Sequence, residues 1–133
     1  MKPLAIWIVV VAAVFVGLAV LTNATRTTSR VFVVVDSSFP MSSVWADVEP
    51  ELDRIDDRDH AEFALATEKR AIHGWQDELN LGSIPPIAPC TFEGIDAHPE
   101  FAEADDRILV TTPSSCDTST LEGEGWEIIV LTP

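Results

Sequence analysis

Val31-Phe32-Val33-Val34-Val35 is an unbroken apolar run, mostly β-branched, and Asp36 closes it with a charge. A strand without alternation of apolar and polar residues has no solvent face, so both of its faces must be covered. That points to the centre of a mainly parallel sheet with a layer on either side. After Asp36 the chain continues with Ser37, Ser38, Phe39, Pro40 and Met41. In open α/β sheets, ligands bind outside the carboxyl ends of the strands. Asp36 therefore stands where a binding site, or the remains of one, is expected.

The residues that follow supply the rest of such a sheet. Val44, Trp45, Val48, Leu52 and Ile55 recur at spacings of one, three, four and three, which is one face of a helix. Ser42 or Ser43 is placed to cap its start. Pro50 is the misfit: either the helix kinks there, or Pro50 opens a second short helix. Segments 62–67 and 71–75 flank the charged turn Glu68-Lys69-Arg70 and read as a hairpin. Phe63, Leu65 and Thr67 point to one side, Ala64 and Ala66 to the other. Gly82, Pro85, Pro86 and Pro89 make 80–89 a loop. Pro99 is suited to open a short helix over 99–104. A strand over 108–112, a loop over 113–125 and a last strand over 126–131 complete the chain. The order predicts an α/β fold, with a small, mostly parallel sheet and an antiparallel edge hairpin.

One transmembrane helix is expected ahead of this domain. Leu4 to Leu21 carries no charge, and at 1.5 Å per residue it spans about 27 Å, close to a hydrocarbon core of roughly 30 Å. Trp7 suits a membrane interface. A cleaved signal sequence is the alternative, with Lys2 as its basic end and Thr22-Asn23-Ala24 as the cleavage site. The apolar run exceeds the usual ~7–15 residues, which favours an anchor. The predicted layout is an anchor over 1–22, a tether over 23–30 and the α/β domain over 31–133. Lys2 on one side and Arg26 and Arg30 on the other nearly cancel as orientation signals. Cys90 and Cys116 break the tie. An even pair of cysteines suits a disulfide outside the cytosol, so the domain is expected on the extracytoplasmic side of the cell membrane. Asn23-Ala24-Thr25 matches a glycosylation acceptor, but it lies so close to the membrane that it reads as chance.

All 22 acidic residues of the chain follow the apolar segment. A field of that sign excludes nucleic acid as a partner and repels anionic lipid. The expected partners are membrane lipid, through the N-terminal helix, and a protein.

From residue 30 onward the chain resembles a von Willebrand factor type A domain. Asp36-Ser37-Ser38-Phe39-Pro40-Met41 aligns with that family's Asp-x-Ser-x-Ser motif, matching at Asp36, Ser38 and Met41, with Pro40 in place of the second Ser. The hairpin fits the family's second and edge strands. Ile108-Leu-Val-Thr111-Thr112-Pro113 fits the later strand that ends in Thr-Asp-Gly, with Thr112 in place of the Asp. The resemblance implies a degenerate metal-ion-dependent adhesion site on a non-catalytic, protein-binding domain. The implied binding surface comprises Asp36, Ser37, Ser38, Phe39, Met41 and Thr112, beside the 113–125 loop. No cofactor is expected. The alternative is a divalent-metal-dependent adhesion module in which Asp36 and Ser38 hold Mg²⁺ or Mn²⁺, and the missing Ser and carboxylate weaken such a site.

Nothing in the sequence points to an enzyme. Asp56, Asp57, Asp59, His60 and Glu62 lack the Gly and distal Glu of an EF-hand loop. His60, His73 and His98 show no metal-ligand spacing. There is no Gly-x-Ser-x-Gly elbow.

Overall fold

The computed structural model describes residues 2–24 and 27–133, with the side chains of residues 2, 23 and 24 left aside. Thr25 of the acceptor triplet and Arg26 of the orientation argument fall outside them. Helix α1 (Lys2–Ala24) is followed by strand β1 (Ser29–Val35), a 3-10 turn (Phe39–Ser43) and helix α2 (Trp45–Asp56). Strands β2 (Ala61–Thr67) and β3 (Ala71–Gln76) come next. After a second 3-10 turn (Ile95–Ala97) come α3 (Pro99–Glu103), β4 (Asp106–Thr111), α4 (Ser119–Gly123) and β5 (Glu127–Val130).

The five strands form one sheet in the order β3-β2-β1-β4-β5. β1 runs parallel to both β2 and β4, β4 runs parallel to β5, and only β3 is antiparallel, against β2. The register sets Val33 opposite Leu65 on one side and Ile108 on the other. Alternate residues of β1 then feed two cores. Val31, Val33 and Val35 pack with Phe63, Leu65, Ile108 and Val110 under Val48, Leu52 and Ile55 of α2. Phe32 and Val34 pack with Ala64, Ala66 and Leu109 under Ile95, Leu121 and Trp126. A strand sandwiched in this way has no position for a polar side chain, which is why its valines are uninterrupted.

The two covers are unequal. The first is a 12-residue helix; the second is built from loop, turn and two five-residue helices, α3 and α4. α4 departs from the loop expected over 113–125. The Asp117 carboxylate accepts the Ser119 backbone N–H at 3.0 Å and the Ser119 hydroxyl at 2.9 Å, which starts a helix too short to show periodicity. At α2, neither Ser42 nor Ser43 caps. The Ser43 hydroxyl donates back to the Pro40 carbonyl at 3.4 Å, and Val44 is the N-cap residue. Pro50 lies inside a single continuous helix rather than opening a second one. Both Pro50 and Ala46, whose carbonyl loses its donor, lie on the exposed side of the helix, where solvent rather than core surrounds them.

The tether is shorter than the 23–30 expected. α1 runs to Ala24, and β1 begins at Ser29, where the Ser29 N–H donates to the His60 carbonyl at 2.9 Å and Ser29 pairs with Ala61. Within α1, Pro3–Thr22 is apolar enough and long enough to cross a membrane, with a hydropathy of 3.0. A span of this kind at an N-terminus is either a membrane anchor or a signal sequence.

Candidate functional site

β2 lies on one side of β1 and β4 on the other, so the strand order reverses at the carboxyl end of β1. Such a switch point is the usual ligand position in an open α/β sheet. Asp36 stands there. Its N–H continues the sheet by donating to the Val110 carbonyl at 2.9 Å. Its side chain is fully buried and fully used. Oδ1 accepts the Ser38 N–H at 2.9 Å, and Oδ2 accepts the Thr111 hydroxyl at 2.7 Å together with the Ser115 hydroxyl. Ser38 Oγ and Ser115 Oγ lie 3.3 Å apart.

A second acid completes the rim. Glu68, 5% exposed, receives the Ser37 N–H on Oε2 and the Ser37 hydroxyl on Oε1, both at 2.8 Å. The two serines after Asp36 therefore face different carboxylates, and the rim joins the ends of β1, β2 and β4. Loop 80–89 closes over it through an isolated bridge between Ser38 and Ala88: Phe39 N–H donates to the Ala88 carbonyl at 3.1 Å, and Ala88 N–H to the Ser37 carbonyl at 3.0 Å. Cys90 and Cys116 are disulfide-bonded, with Cα atoms 5.7 Å apart, as expected. The bridge ties that loop to the one after β4, and Cys90 Sγ lies 3.1 Å from Ser115 Oγ.

Of the six residues expected on a binding surface, the rim exposes one. Phe39 is 70% exposed; Asp36, Ser37, Ser38 and Thr112 are buried. Met41 is also buried, because the 3-10 turn swings it under α2 into the core with Val44 and Val48. These five do not form a contact surface: four belong to the inner wall of the rim and one to the core. Thr112 Oγ1 has no hydrogen-bond partner among the described residues.

The rim does not suit a divalent cation. A hard ion needs several open oxygen ligands. Asp36 has no exposure, and a metal there would have to displace three protein donors. Glu68, the nearest addition to the donor set, is committed to Ser37. Among the described residues, no group of three or more His, Cys, Asp or Glu is arranged to hold a metal. Two of the histidines are engaged elsewhere: His73 bonds the Gly74 carbonyl and the Asn80 N–H, and His98 lies against Phe32.

Compared with protein-family models, curated proteins and solved structures, the chain matches none.

Three contributors to the rim escape a reading by residue type. Glu68 sits beside Lys69 and Arg70 and reads as part of a solvated turn. The signal was nonetheless present, because Glu68 closes an apolar strand just as Asp36 does. Ser115 carries no local signal, since its partner Asp36 is 79 residues away. Ile87, 74% exposed beside the Ser38–Ala88 bridge, is a lone aliphatic residue in a Pro-rich loop, which is a weak mark of a contact residue.

Proposed function

We propose that this chain is a membrane-anchored, non-catalytic protein-interaction domain outside the cytoplasm, with a degenerate von Willebrand factor type A-like fold, and that it meets its partner at the carboxyl rim. The strand order with one antiparallel edge supports the fold reading. The disulfide supports the compartment, and the apolar α1 supports the anchor.

One observation carries the rim as contact surface. Outside α1, the exposed large apolar side chains among the described residues are Phe39, Ile87 and Val130. Two of these, Phe39 and Ile87, flank the same bridge, above the Asp36 and Glu68 carboxylates, each of which accepts hydrogen bonds from the protein itself. An exposed apolar pair on a rigid mount is what an interface anchor requires. The topology supports the same reading. The chain enters the sheet at the start of β1, and seven residues of strand at about 3.3 Å each lift the rim roughly 23 Å from that end. Partner access there does not compete with the bilayer.

The test is site-specific photocrosslinking of the full chain in its native membrane, with the reactive group at position 39, at position 87, or at exposed position 49 on α2. Discrete protein adducts from 39 and 87, and none from 49, are expected. Equal adducts at all three positions, or none at any, would refute the assignment.

A further inference from the structure

We propose that the outer edge of β5 is a docking site for an extended, basic strand of a partner protein, which adds to the sheet beside β5. The Leu131 N–H donates to the Thr111 carbonyl at 2.8 Å, and the register sets Val130 opposite Thr111. Bonding to a neighbour alternates along a strand. Glu127, Ile129 and Leu131 therefore face β4, and Ile128 and Val130 turn their N–H and C=O groups outward. β5 ends the sheet on this side, and no backbone group among the described residues bonds those two residues from outside. Unpaired N–H and C=O groups recurring at every second residue are the template for another strand.

The two edges of the sheet are not alike. β3, at the opposite edge, is irregular: its pairing with β2 shifts register, it contains Gly74, and the Asn80 N–H folds back onto the His73 ring. Such irregularity blunts an edge. β5 pairs with β4 in continuous register, its Glu-Ile-Ile-Val holds no Pro, Gly or Lys, and Val130 is 49% exposed. Its length of four residues limits the added strand to a similar span. The edge lies two strands from the end of β1, about 10 Å away at the usual strand spacing, and is a different surface from the Phe39–Ile87 pair.

Charge selects the occupant. A residue paired opposite Val130 places its side chain on Val130's face of the sheet. On that face, a hollow of about 400 Å³ is lined by Val130, Pro113, Cys116, Asp117 and Thr118. Glu127 is engaged by Arg58, whereas Asp117 is exposed and joins no ion pair among the described residues. Its hydrogen bonds with Ser119 hold its carboxyl below the usual range, so it stays charged in mildly acidic solution. A Lys or Arg opposite Val130 lays its apolar stem along the valine and carries its charge toward Asp117. A second copy of the chain is the wrong occupant, because its β5 brings no base and each copy carries a net charge of −14.

The experiment follows amide hydrogen exchange at Ile128 and Val130 of the full chain in neutral-detergent micelles as acetyl-Lys-Val-Lys-Val-Lys-amide is added. Saturable slowing at both amides is expected, with a smaller change at Ile129, which already bonds β4. Acetyl-Glu-Val-Glu-Val-Glu-amide should produce none. Two N-methylated forms of the basic peptide, one methylated at its second and fourth residues and the other at its first, third and fifth, block opposite backbone edges. Only one of them should bind. Val130→Lys changes an exposed side chain and should weaken binding about fivefold with an unchanged melting temperature. Val130→Pro removes an outward donor while sparing the bonds to β4, and should also weaken it. Slowing by the acidic peptide, equal affinity of the two N-methylated forms, or undiminished binding by Val130→Lys would overturn the proposal. So would protection of Ile128 and Val130 that needs no peptide and rises with chain concentration, since a second copy would then cover the edge.

Discussion

Asp36 gathers three donors from three stretches of chain: Ser38, Thr111 and Ser115. Asp36→Ala leaves the Ser38 N–H and the Thr111 hydroxyl buried without this acceptor, while the half-buried Ser115 hydroxyl keeps Ser38 Oγ within reach; each buried orphan costs about 1–3 kcal/mol. The expected loss is at least about 2 kcal/mol, read from the shift in urea midpoint at constant slope. Asp36→Asn keeps the acceptor for the Ser38 N–H and lets a hydroxyl turn to accept from the new amide, so it should lose clearly less. Equal losses for the two variants would mean that charge, rather than donor count, governs the site. Asp117 gives a pH-dependent counterpart. Its bonds to Ser119 favour the carboxylate, so its folded pKa lies below the unfolded one. Its stabilisation is therefore complete above the unfolded value, near pH 4, and disappears as pH falls through the folded value. An NMR titration should find Asp117 titrating below the ordinary aspartate range, and Ser119→Ala should move it back up.

At the scale of elements, legibility followed from how local each cause is. β1 was readable because burial on both faces leaves its mark on every residue of the strand. The hairpin was readable because Phe63 and Leu65 alternate with Ala64 and Ala66, and the structure sends these pairs to opposite cores. α4 was not, since five residues give little more than one turn and its start is made by Asp117 and Ser119 rather than by an apolar stripe. Glu68 was missed for a related reason: its burial depends on Ser37, 31 positions away. The disulfide was readable as a pair but not as a strut between rim loops. Its removal tests that role. Closing a 26-residue separation constrains the unfolded chain by about 3 kcal/mol in the loop-entropy picture. Cys90→Ser with Cys116→Ser should lower stability by about that much in urea unfolding, and it should also speed amide exchange at Ser115 and Ala88, which the bridge holds over the rim. Thiol labelling of the denatured, unreduced wild type should find no free cysteine. A double variant as stable as wild type would remove the strut argument.

At the scale of the whole molecule, charge is the dominant stress. The formal net charge is −14, and the part after α1 carries 22 acidic residues against seven basic ones. The ion pairs that offset this are at the surface: Arg30 with Glu62 and Glu103, Arg54 with Glu51, and Arg58 with Glu127. Surface pairs of this kind contribute about 0–1 kcal/mol each and weaken with salt. Repulsion among the remaining carboxylates also weakens with salt, and the two effects oppose each other. With acids outnumbering bases threefold, repulsion should win. The screening length is about 30 Å at 0.01 M salt and about 8 Å at 0.15 M, so most of the relief comes in that interval, below the concentrations at which salts act by strengthening apolar burial. The melting temperature should therefore rise with NaCl over this range and then flatten. Neutralising exposed acids that take part in no ion pair among the described residues, as in Glu49→Gln with Glu78→Gln, should raise the low-salt melting temperature and reduce the salt dependence. A melting temperature that falls over the same range would show that the few ion pairs outweigh the repulsion, and the acidic surface would then need an explanation other than solubility.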